Sequence, residues 1–202
     1  MARGPDSGSV GAMSIVQLAP PRGRRTPTDL ILDASLVVAP LVYLLADCLY
    51  AARGWADADA GGVHVIGALL YGFVLLRLAA WSHEWLSAGM LVAAMVGTAG
   101  NVAYGFNTIH VSLGGVDLVD TSGPGALIKP LGLVFPVALF LGALTLRQVG
   151  RRPSAFVLAV CAGAWPVAHI GNVAWLAVLT NALLVAALVP LAWAGRPAST
   201  SL

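Results

Sequence analysis

The chain has 202 residues, of which 58% are hydrophobic and 10% charged, with a formal net charge of +2 and a mean hydropathy of +0.85. A soluble domain carries about a quarter charged residues, so this composition excludes an ordinary soluble core and offers no basic surface for nucleic acid. Two cysteines without CxxC spacing exclude a disulfide framework and a thiol redox pair.

Residues 1–28 contain no continuous apolar run of the kind a secretory signal needs. They are rich in proline, glycine and arginine, and are expected to form a disordered cytoplasmic segment. Arg24 and Arg25 then anchor the first of six apolar segments, at about 30–52, 63–81, 86–106, 126–146, 154–170 and 173–194. Fusing the last two would require a helix of about 40 residues, longer than a bilayer needs, and Gly171-Asn172 breaks the run. The expected fold is therefore all-α, a polytopic bundle of six transmembrane helices over residues 29–195, followed by a short cytoplasmic tail at 196–202.

Arginine asymmetry sets the direction. With six spans both termini share a side, and that side collects Arg3, Arg22, Arg24, Arg25, Arg147, Arg151, Arg152 and Arg196. The opposite loops hold Asp57, Asp59, Asp117 and Asp120, so both termini are expected to be cytoplasmic. Trp81, Trp85 and Trp193 then fall at the inner interface, and Tyr50, Trp55 and Tyr104 at the outer one. Ten arginines against one lysine, with abundant Ala, Gly and Val, suggest a high-GC bacterial genome, hence a bacterial cytoplasmic (inner) membrane. Small residues let helices approach in lipid. Gly89, Ala93, Gly97 and Asn101 in span three, and Ala155, Ala159 and Gly163 in span five, predict that these two helices pack centrally.

This direction gathers the scarce polar groups at the outer end of the bundle. Asp47, His64, Asn101, His110, Lys129, His169 and Asn172 all fall there, beside the glycine-bearing stretch 107–125. Ionisable groups in a membrane usually face a bundle interior or a watery cavity, so these residues are expected to share an outward-facing pocket roofed by that stretch. Asp47 and Lys129 lie at similar predicted depth and are candidates to pair. At the inner end, Asp33 and Arg77 lie one turn inside neighbouring helices and are expected to bridge and fix packing. His83 and Glu84 read as solvated turn residues, and Asn181 as a hydrogen-bonding contact between helices.

No motif specifies a reaction. The GGVDLVDTSGPG stretch has turns suited to an anion but lacks the lysine and Ser/Thr of a P-loop. His64, His110, His169 and Asp117 have the chemistry of zinc ligands without a defining spacing, and neither a metal nor another cofactor is expected. The leading expectation is a small membrane protein that binds a small lipophilic ligand in its outer pocket. In its enzymatic form, an isomerase or cyclase working in the lipid phase, Asp47 or His169 would transfer protons while His64, Asn101, His110, Lys129 and Asn172 bound the ligand. A small-solute transporter and a non-catalytic membrane subunit, partnered with itself or another membrane protein, are the rival readings.

Overall fold

A computed structural model of the chain describes residues 25–194. Among these the protein is all-helical: α1 (Pro27–Arg53), α2 (Ala58–Ala79), α3 (Glu84–Ser112), α4 (Ile128–Gln148), α5 (Arg152–His169) and α6 (Ala174–Trp193). Two short 3₁₀ turns, Leu118–Asp120 and Pro124–Leu127, lie in the α3–α4 connection. Five of the helices are long and apolar enough to cross a membrane, the architecture of a multi-pass membrane protein. The exception is α5, where Arg152, Pro166 and His169 dilute an 18-residue helix.

Local chemistry sets the ends. Thr26 caps α1: its hydroxyl accepts from the Asp29 N–H while Asp29 accepts from the Thr26 N–H, both at 3.1 Å, and Pro27 opens the first turn. The helix thus begins inside the stretch expected to be disordered; the rest of that stretch, and the tail after Ala194, lie outside the described residues. Gly54, at φ 96°, makes the sharp exit from α1, and Asp57 caps α2 through the Ala60 N–H at 2.8 Å. The largest departure from expectation is α3, which runs to Ser112 rather than ending near residue 106. Hydropathy marks the apolar part of a helix, and residues 107–112 continue it in polar surroundings.

Each helix packs on the next and α6 returns to α1, closing a ring, with a lesser contact between α2 and α4 across it. The expectation that α3 and α5 form a central pair is therefore corrected: neither is central, and they are separated by α4. Gly163 meets nothing within 4 Å, and Gly89 reaches only the Leu141 side chain. The close approaches lie elsewhere on α3. A methyl at Gly97 or Gly100 would collide with the α4 backbone at Phe135 or at Leu131–Gly132, and Gly105 faces the Gly61 carbonyl of α2.

Side chains fill the middle of the ring. Tyr43, Tyr71, Phe135 and Trp165 are buried and meet edge-on, tilted or stacked, with Tyr43–Tyr71 at 5.6 Å and Phe135–Trp165 at 4.9 Å between centroids. At the α1 start, Arg77 contacts Asp33 at 2.5 Å and Asp29 at 2.9 Å, and its guanidinium lies 5.3 Å from the Trp81 ring. Trp81 is accordingly buried rather than in an interfacial belt, whereas Trp85 and Trp193 are exposed.

Candidate functional site

One helix after another places a polar side chain in a layer near the α1–α2 turn. Asp47 lies six residues before the end of α1 and His64 six after the start of α2, so both sit about 9 Å from their helix ends. Asn181 is at matching depth in α6, and His169 ends α5. Asp47, His64, Asn101, His169 and Asn181 are all buried.

Two networks hold these groups. In the first, the Asn101 amide donates to the Gly97 carbonyl at 3.0 Å, which turns its oxygen toward Tyr43. The Tyr43 hydroxyl donates to that oxygen at 3.1 Å, so its single proton is used. The 3.0 Å contact between Tyr43 and His64 Nε2 must then be a donation from the ring. His64 thereby keeps its proton on Nε2 when neutral, and its Nδ1 lone pair is buried without a partner.

In the second network, His169 stacks on Trp165 with ring centroids 3.9 Å apart. Its Nδ1 lies 3.3 Å from the Trp165 carbonyl and its Nε2 3.3 Å from Asp47 Oδ1. Both neighbours accept, and a neutral ring has one proton, so it can donate to only one of them. The Asn181 amide donates to the other Asp47 oxygen at 2.5 Å. The edge toward Asp47 lacks hydrogen-bond alignment, and His169 Nε2, Asp47 Oδ1 and Asn181 Oδ1 have no hydrogen-bond partners.

Beside these networks lies a cavity of about 180 Å³, lined by His64, Asn101, Tyr104, Trp165 and His169 from the ring and by Lys129, Gly132 and Leu133 from α4. Its cover is the α3–α4 connection, through Asp117, Val119 and Asp120. Asn107 fixes that cover: its amide donates to Asp117 at 2.8 Å and its oxygen accepts from the Leu118 N–H at 2.9 Å. Pro136 has no N–H to give the Gly132 carbonyl, so an acceptor is freed at the cavity wall. Leu133 and Ile170 line the cavity yet are exposed on the outside of the bundle, so its rim reaches the lipid-facing side.

Of the expected pocket residues, His64, Asn101, Lys129, His169 and Asn172 line this one cavity, and Asp47 stands behind His169. His110 does not join them. It lies nine residues beyond Asn101, about 13 Å further along α3, where it is exposed against Gly115. Lys129 does not pair with Asp47 but with Asp120 of the cover, at 2.7 Å, because the connection folds back over the first turn of α4. That pair is half exposed, so Lys129→Ala should cost less than about 1 kcal/mol of stability, an effect that shrinks with added salt in thermal melts.

Sequence reasoning missed Tyr43, Trp165 and the link between Asn181 and Asp47, and it placed Tyr50 and Tyr104 in an interfacial belt. In fact Tyr50 is buried against Trp55 and His64, and Tyr104 lines the cavity. No group of three or more His, Cys, Asp or Glu suited to a metal occurs among the described residues. No protein-family model, curated protein or solved structure matches the chain.

Proposed function

We propose that the chain is an integral membrane protein whose six helices all cross the bilayer, α5 included, with both termini cytoplasmic, in a bacterial inner membrane. Its cavity, on the extracytoplasmic side, binds a small lipophilic ligand. The arginines flanking α1, α4, α5 and α6 support the direction, and the closed ring supports six spans, since α5 fills the gap between α4 and α6.

One observation carries the binding reading: His64, buried and lining the cavity, keeps a ring nitrogen without a hydrogen-bond partner. Buried polar groups are normally satisfied, so such atoms in a roomy cavity point to a bound partner. The lipid-exposed rim at Leu133 and Ile170 favours a ligand that enters from the bilayer. A transporter is the weaker reading, because Tyr43, Tyr71, Phe135 and Trp165 close the ring interior next to the cavity. A non-catalytic subunit remains the alternative if no ligand is retained.

Native mass spectrometry of protein released from its own membrane tests this reading. A retained small lipophile is expected, with occupancy reduced about tenfold or more in His64→Phe. Clean apo protein, or equal occupancy in the variant, counts against the pocket. A periplasmic reporter active when fused after Arg196 would overturn the orientation.

A further inference from the structure

We infer that the cavity selects an amphiphile with a primary ammonium head, an inference that rests on the pocket reading above. The cavity wall leaves several acceptors without a donor. His64 Nδ1 is an acceptor, because the Asn101–Tyr43–His64 chain commits the ring proton to Nε2. The Gly132 carbonyl is an acceptor, because Pro136 cannot donate to it. Asp117 spends one carboxylate oxygen on Asn107 and Val119, and no hydrogen bond among the described residues reaches the other. The lysine and the Asn101 amide are already committed, whereas the Tyr104 hydroxyl and the Asn172 amide, both neutral donors, have no hydrogen-bond partner among the described residues. Lys129 is held by Asp120, the Asn101 amide by Gly97, and His169 lies between Asp47 and the Trp165 carbonyl. What the walls lack is a free charged donor.

Charge narrows the choice between an alcohol and an amine. Lys129 pairs with Asp120, and His169 lies 3.3 Å from Asp47. Asp117 remains, an exposed carboxylate on the cavity's cover with no cationic partner among the described residues. An ammonium carries three N–H donors and one positive charge, and it stays protonated near neutral pH. It would meet His64, Gly132 and Asp117 together, beside the aromatic faces of Tyr104 and Trp165. Its alkyl chain would leave past Leu133 and Ile170 into the bilayer.

Isothermal titration into protein-loaded nanodiscs, corrected with empty nanodiscs, tests this with octylamine, octyltrimethylammonium, octanol and octanoate. Octylamine is expected to bind most tightly: the trimethyl compound keeps the charge without N–H groups, and the alcohol keeps a donor without the charge. Asp117→Asn retains the oxygen that accepts from Asn107 and Val119. It should therefore leave the melting temperature unchanged while weakening octylamine about five- to tenfold, more than it weakens octanol. If octyltrimethylammonium, octanol or octanoate binds as tightly as octylamine, or if Asp117→Asn does not weaken octylamine, the ammonium inference is wrong while the pocket stands. If folded protein binds none of the four, both fall.

Discussion

Asp47→Ala should destabilise the protein by about 3–5 kcal/mol, the usual cost of removing one member of a buried ion pair. Asp47 has no exposed surface, faces His169 at 3.3 Å and accepts from Asn181 at 2.5 Å. Without it, a buried histidine and a buried amide lose their partner, and α1 loses its polar links to α5 and α6. Asp47→Asn should cost less, because an amide of the same shape still bonds Asn181 and lets His169 remain neutral. Thermal melts in a single detergent would rank the variants: wild type, then Asp47→Asn, then Asp47→Ala. The same melt for Asp47→Ala and wild type would mean that the pair holds nothing together.

The second large effect is steric. Gly100→Val should cost about 1–3 kcal/mol or more, because its Cβ would collide with the α4 backbone at Leu131 and Gly132, which has no side-chain freedom with which to yield. Gly163→Val on α5 is the matched control, since nothing lies within 4 Å of the position its Cβ would take. The contact also sits at the cavity, so pushing α4 away displaces the Gly132 wall and should weaken ligand retention along with stability. If the two valine variants melt together, α3 and α4 do not pack backbone to backbone.

Residue type revealed the class of fold and which polar residues gather at one end of the bundle, but not how they bond to one another. Six apolar runs became six helices because run length and breaking residues such as Gly171 are local features. The polar end was readable for a similar reason: Asp47, His64, Lys129 and His169 are conspicuous in an apolar chain, and helix direction fixes their depth. Which of them touch depends on rotation about each helix axis. That rotation is set by contacts such as Gly100 on Gly132, and a stripe of small residues does not announce its partner. Gly97 was singled out correctly as a contact residue, but Gly163, equally small, faces open space. His110 was misplaced because the end of hydropathy was taken for the end of the helix. Tyr43 was overlooked because a tyrosine in an apolar run carries no sign that its hydroxyl joins an asparagine to a histidine.

The helices differ in length, and this has a consequence for the surrounding lipid. With 29 residues, α3 measures about 43 Å, while the 18 residues of α5 give about 27 Å, slightly short of a typical hydrocarbon thickness. In the six-span arrangement, the membrane must thin on the α5 flank, beside the rim formed by Leu133 and Ile170. Hydrophobic mismatch would then gather shorter acyl chains at that flank, and stretching the bilayer with longer ones would bury the rim more deeply in hydrocarbon.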